Sequence, residues 1–331
     1  MFPKGGCDVT STRSLVESAL LAGFAVVLFL AAHFLPLIGA AFSLLAPAPL
    51  VILGLRHDLK KALLGLVVST LLVAAFLGPL SSLFFVFGFG VLGVGLGFLA
   101  KRCEKGVEVL LYGILLSLGS KLLLMVIAGK LTGINPFQLD GAEMQGMIDK
   151  IFQFYESTGM SKESLAAVRE QFAESIRMLP VIFPTILTMA AALDCYLSYT
   201  ISSFVLKRVG SAPLPSLPSF SRWRFPKSVF GALVASILLT LFGSQSGEWN
   251  FALRAGTNLR LLVNFIFLFQ GISLVWYFFT ERVTIPFGRV LRTVAIIIVF
   301  LVPLFSTIAV MAGIGDMWLD FRRRFGRSDA S

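Results

Sequence analysis

The chain has 331 residues, 56% of them hydrophobic and only 14% charged, with a mean hydropathy of +0.87 and a net charge of +10. Soluble domains carry about 25% charged residues, so these figures exclude a soluble globular protein and call for an integral membrane one. The basic residues cluster beside apolar segments, the pattern of cytoplasmic loops; the expected partner is the lipid bilayer and not nucleic acid.

Nine apolar segments can be drawn, over residues 15–35, 37–55, 62–77, 80–100, 107–131, 178–206, 229–242, 259–280 and 293–315. The first follows Lys4 and Arg13, is longer than the core of a signal peptide and precedes further apolar runs, so it reads as a spanning helix. Pro47-Ala48-Pro49 should kink or partly unwind the second. Arg56, Lys60 and Lys61 follow the second segment, and Lys101, Arg102 and Lys105 follow the fourth. Both loops, and with them the N-terminus, are expected in the cytoplasm. Residues 84–100 of the fourth have no charge, no proline and five glycines. Gly88, Gly90, Gly93 and Gly97 read as helix-packing positions, with Gly93 and Gly97 forming a small-xxx-small ridge. The letters Gly88-x-Gly90-x-x-Gly93 also spell a dinucleotide fingerprint, but no strand precedes them and the required βαβ context is missing.

The organisation expected is a five-helix membrane region (1–131), an extracytoplasmic insert (132–177), a second membrane region (178–315) containing a basic Pro-rich loop (207–228), and a basic tail (316–331). Within the insert, Asp140-x-x-Glu143 reads as a capping box. Met144, Met147, Ile148, Ile151, Phe152 and Tyr155 follow at helical spacing, as do Leu165, Val168, Phe172 and Ile176 in a second helix from Ser161. Seven acids against four bases between 140 and 177 set the insert apart from the rest of the chain and favour the outer side. Amphipathicity fits an interfacial hairpin, or a lid over an outward-facing site. In the basic loop, Trp223 between Arg222 and Arg224 suits the inner headgroup layer or a cytoplasmic docking site. Nine full spans from an inside N-terminus would put Arg322, Arg323, Arg324 and Arg327 outside, against the charge rule. The all-α bundle therefore has eight or nine membrane segments, with a cytoplasmic tail expected.

Polar groups inside apolar segments are the candidate site. Lys121 in the fifth and Asp194 in the sixth both fall roughly 18–21 Å from the inner boundary at 1.5 Å per residue, so they are expected to face each other. Ser198 shares the Asp194 face, and Asn264 and Gln270 lie in the eighth segment near Arg260. These read as a polar cavity or as helix–helix hydrogen bonds. Three cysteines and two histidines (His33 and His57) without ligand spacing leave no metal site or cofactor expected. No HExxH, P-loop or triad pattern appears, so the protein is expected not to be an enzyme.

The order of features resembles the YybS-like family of bacterial inner-membrane proteins. The matching pieces are Pro47-Ala48-Pro49, the glycine-rich fourth segment, Leu217-Pro218-Ser219-Phe220…Trp223…Phe225-Pro226, Gln270-Gly271, and Gly313-Ile314-Gly315-Asp316…Asp320-Phe321-Arg322. The N-terminal half is similar to the substrate-binding S-components of energy-coupling factor importers and to the cell-shape protein MreD. That resemblance implies an S-component-like bundle with an outward-facing pocket for a small-molecule ligand. It also implies docking on membrane or ATPase partner subunits through small residues of the first helix, here Ser18-xxx-Ala22 and Ala19-xxx-Gly23. The function expected is a non-catalytic component of a small-molecule uptake system in the inner membrane. The alternative is an envelope-organising protein of MreD type without a ligand.

Overall fold

The computed structural model describes residues 9–35, 38–133, 141–157, 162–210, 213–245, 250–281, 298–299 and 302–324. Their regular structure is helical, as a bilayer demands of a backbone with no water to bond. Among the described residues six helical runs are long and apolar enough to cross a membrane, and two shorter apolar helices, Ser228–Ser244 and Pro303–Leu319, accompany them. The chain forms two compact units, one of Met1–Asp140 with Ala190–Leu217 and one of Gly141–Met189 with Pro218–Ser331.

The first unit contains α1 (Val9–Phe34), α2 (Gly39–Leu45), α3 (Pro47–Arg56), α4 (Leu59–Phe85), α5 (Val91–Arg102), α6 (Gly106–Thr132) and the end of α8 (Lys162–Arg208). The expected break at Pro47 is mild. Ala46, between α2 and α3, keeps helical dihedrals (φ −56°, ψ −36°), and Pro47 starts α3 where a missing N–H costs nothing. The break at Gly78-Pro79 is sharp. Leu59–Arg102 is a 44-residue run. Straight, it would measure about 66 Å, twice a ~30 Å hydrocarbon core. Gly78 adopts φ +85°, a conformation open to glycine, ahead of a proline with no donor to offer. The run folds back there. Leu66 and Val73 pack with Phe85 and Val94, and Lys101 Nζ at one end donates to the His57 carbonyl at the other at 2.5 Å.

The glycine ridge brings α5 against α3. A Cβ on Gly93 would stand 2.7 Å from Leu50 Cβ, and one on Gly97 would stand 2.6 Å from Leu55 N. Gly54 on α3 answers from the other side, facing the Val94 carbonyl. Gly90 is held by Leu66, but Gly88 has nothing within 4 Å and is not a packing residue. It lies instead in a π-helical turn, Val86–Gly90, between α4 and α5. Ser120 of α6 donates to the Phe87 carbonyl in that turn at 2.6 Å, satisfying an acceptor that the wider turn displaces.

The second unit contains α7 (Gly141–Ser157), the start of α8, α9 (Ser228–Ser244), α10 (Phe251–Glu281), α11 (Pro303–Leu319) and the short α12 (Phe321–Arg324). The insert forms two helices, α7 and the beginning of α8, which continues unbroken into the apolar segment. Ile148 and Phe152 are buried, Phe152 stacks edge-on with Phe172 at 6.0 Å, and Arg169 pairs with Asp149. Asp140 of the expected capping box and the side chains of Glu143, Met144, Met147, Tyr155, Leu165 and Ile176 lie outside the described residues. Glycines again set the contacts of α10: Gly243 meets Leu253, Gly256 meets Thr240, and Gly271 and Gly313 meet the carbonyls of Ala309 and Phe267. Asn250 caps α10, accepting from Leu253 N at 2.9 Å while its amide donates to the Gly243 carbonyl at 3.1 Å.

Candidate functional site

In the first unit Lys121 of α6 meets Asp194 of α8. Lys121 Nζ donates to Asp194 Oδ2 at 2.6 Å and to Ser117 Oγ, one turn earlier, at 2.8 Å. Gly113 permits the approach: a Cβ there would stand 2.7 Å from both Cys195 Sγ and Leu96 Cδ2. The two side chains keep 19% and 28% of their exposure, so the pair is reachable and not sealed in the core. Ser198 is buried, and Ser202 is buried with no hydrogen-bond partner for its hydroxyl among the described residues. A lone charge at this depth costs several kcal/mol, and each of the two supplies the other's counter-charge.

Asn264 and Gln270 belong to the second unit, so the five candidate residues do not make one cluster within a unit. Asn264 is half-buried on α10. Gln270, 1% exposed, accepts from Phe225 N at 3.2 Å and so anchors the basic loop. The docking residues divide as well. Ser18 and Ala22 are buried inside the unit, with Ser69 Oγ bonded to the Ala22 carbonyl at 3.1 Å, and are not free to meet a partner. Ala19 is exposed and Gly23 half-buried with open space at its Cα.

Two polar centres escape a reading by segment. The first surrounds Arg322 in the second unit, with the side chain 4% exposed and paired through Nε to Asp316 Oδ2 at 3.2 Å. Arg322 Nη1 donates to the Ser221 carbonyl at 2.5 Å and Nη2 to Ser273 Oγ at 3.0 Å. Ser273 in turn donates to the Phe220 carbonyl at 2.6 Å, and the guanidinium lies 5.8 Å from the Tyr277 ring. Asp320 makes this possible by taking a left-handed conformation (φ 46°) that ends α11 and turns the tail back. Ser221 of the basic loop, Ser273 of α10 and Asp316 of α11 thus converge on one buried cation. Arginines counted only for topology gave no sign of it.

The second centre lies at the basic end of the first unit. His57 is buried between α3 and α4; its Nδ1 is 3.0 Å from Ser14 Oγ, to which Lys61 Nζ also donates at 3.1 Å. Glu17 pairs with Arg56 at 2.5 Å and stands 3.8 Å from His57 Nε2. Burial lowers the His57 pKa against the opposing pull of Glu17, with Lys61, Lys101 and Arg56 adding to the fall. Its partners are some 40 residues distant, which is why local spacing misses them.

Asn258, also missed, inserts its amide into α8. It donates to the Val181 carbonyl at 2.7 Å and accepts from Thr185 N at 3.2 Å, the two groups a helix normally joins to each other. Pro180 and Pro184 flank the spot.

No solved structure matches the chain. It is 24% identical over 318 residues to a protein described as "Uncharacterized protein YybS" from Bacillus subtilis (strain 168), covering 95% of this chain and 98% of that one. The profile of the family described as "Predicted membrane protein (DUF2232)" matches residues 23–317. Nearly the whole chain, both units included, therefore belongs to the DUF2232 family of predicted membrane proteins.

Proposed function

We propose that the protein is a non-catalytic membrane component of a small-molecule uptake system, with the first unit as an S-component-like bundle and Lys121–Asp194 as its polar centre. The observation that carries this reading is the partly exposed ion pair at 2.6 Å between two apolar helices. Opening such a pair leaves two unmatched charges, so a solute enters cheaply only by replacing both partners. That selects a small zwitterion, whose anionic group takes Lys121 and whose cationic group takes Asp194. Energy comes from partner subunits or an ion gradient. The test is affinity purification of the full chain in native lipid, followed by mass spectrometry of retained solutes. A zwitterionic solute held by the wild type and lost from the Lys121→Met/Asp194→Asn double variant is the expected result. Equal retention by both sinks the reading, and a wild type that retains no solute favours the envelope-organising alternative.

The proposed topology puts the basic end of the first unit in the cytoplasm of a bacterium, where Arg56, Lys60, Lys61, Lys101, Arg102 and Lys105 satisfy the charge rule. Each half of the Gly78 hairpin then crosses once. Arg322 bonded to the Ser221 carbonyl supports a cytoplasmic tail, since whichever side the basic loop occupies, the tail shares. The number of crossings between Ser228 and Leu319 is then even.

A further inference from the structure

Beside the buried Arg322 lies a cleft of about 330 Å³ lined by Ser221, Arg222, Arg224, Tyr277, Arg322 and Arg323. Its charges do not balance. Asp316 engages Arg322, and Asp320 engages Arg224 at 2.7 Å. Arg222 and Arg323 are exposed and make no side-chain hydrogen bond or ion pair among the described residues. The floor is rigid, because Arg322 is fixed by the Ser221 carbonyl, Ser273 and Asp316 before any ligand arrives. The volume lies at the lower end of the range for small-molecule sites.

The setting is that of a membrane boundary. The apolar run of α10 ends at Thr280, three residues beyond Tyr277, and α11 ends three residues before Arg322. Trp318, 59% exposed, and Trp223 flank the same loop, and Lys227 lies 5.9 Å over the Trp318 ring. Aromatic rings and cations at helix ends are how membrane proteins meet headgroups. We propose that this cleft binds a phosphate group, presented by an anionic phospholipid headgroup, with Arg222 and Arg323 as the contacting cations and Arg322 as the preorganised floor. Arginine suits the task because its planar fork pairs two phosphate oxygens at once.

The experiment titrates short-chain phosphatidylglycerol, phosphatidylcholine and inorganic phosphate separately into the full-length protein in detergent, reading affinity by thermophoresis. Four proteins are compared: wild type, Arg222→Gln/Arg323→Gln, Arg222→Lys/Arg323→Lys, and Lys60→Gln/Arg102→Gln as a charge-matched control in the other unit. At about fivefold per cation near a membrane surface, the glutamine pair should bind phosphatidylglycerol about 30-fold more weakly. The lysine pair should lose less, and the control nothing. Phosphate binding as tightly as phosphatidylglycerol would keep the cleft but make the source a soluble phosphate, which overturns the lipid assignment. Equal affinity for phosphatidylcholine and phosphatidylglycerol, or a control weakened as much as the glutamine pair, overturns the site altogether.

Discussion

Neutralising Lys121 alone, as Lys121→Met, leaves Asp194 without its counter-charge inside an apolar segment. Insertion scales put an ionised side chain at the centre of a spanning helix at about 2.5–3.5 kcal/mol. Asp194 keeps 28% of its exposure and is not fully enclosed, so the low end of that range applies, about 2.5 kcal/mol. Losing the Lys121–Ser117 hydrogen bond adds only about 0.6 kcal/mol, the mean for such bonds in a bilayer. The charge dominates. Asp194→Asn should cost a similar amount by stranding Lys121, somewhat reduced because a lysine stem can reach outward. The double variant removes both charges and keeps only the small loss at Ser117, so the cycle should return a coupling of about 4 kcal/mol in favour of the pair. The assay is equilibrium unfolding in mixed micelles by SDS titration, with Ser117→Ala as the small-effect reference. A double variant no more stable than the worse single would mean that the groups act independently, and the argument for a coupled site would fail.

Arg322→Met should lower stability by about 3–5 kcal/mol by stranding the buried Asp316, with partial recovery in Asp316→Asn/Arg322→Met, followed by the same titration. Gly97→Leu should prevent the approach of α5 to α3 and abolish folded protein in membranes, whereas Gly88→Ala, with open space around it, should express as wild type on size-exclusion analysis. A fluorescent reporter fused after Ser331 and one inserted in the 211–216 stretch should report the same side of the membrane; opposite sides would contradict the Arg322–Ser221 bond. Because the His57 pKa is lowered in the folded protein, the unfolded chain takes up the proton first as pH falls through about 6.5. Stability should therefore decline below that pH and be flat for His57→Gln, as read by melting curves between pH 5 and 8.

The sequence was most informative where one dimension suffices. Lys121 and Asp194 could be matched in depth because a spanning helix advances 1.5 Å per residue from a boundary marked by basic residues. Gly93 and Gly97 could be read as a ridge because a four-residue spacing stays on one helix face. Gly88 fits the same composition but not the same face, because the turn around it is wider than an α-helix, and no letter announces that. Arg322 was illegible for another reason. Its burial depends on Asp320 taking a left-handed conformation, and on carbonyls of a loop about a hundred residues earlier. Ser18 and Ala22 have the small side chains of a docking face, yet spacing cannot tell a surface stripe from one already covered by α4.

The wide turn at Val86–Gly90 also bears on how this chain's length can change through evolution. A π-helical turn holds one more residue than the α-helical turn it replaces, while the helix on either side keeps its facing. Here the upstream face buries Phe85, and the downstream face presents Gly93 and Gly97 to α3. Deleting one residue of the five would let ordinary helix run through with both faces undisturbed, at the loss of the acceptor used by Ser120. A single-residue deletion within α5 itself, ahead of Gly93, would rotate everything beyond it by about 100° and turn the ridge away from its partner. A one-residue gap against relatives is therefore expected inside this apolar helix, not only in the loops where gaps are usually placed, and an alignment that forbids it there would misassign every glycine that follows.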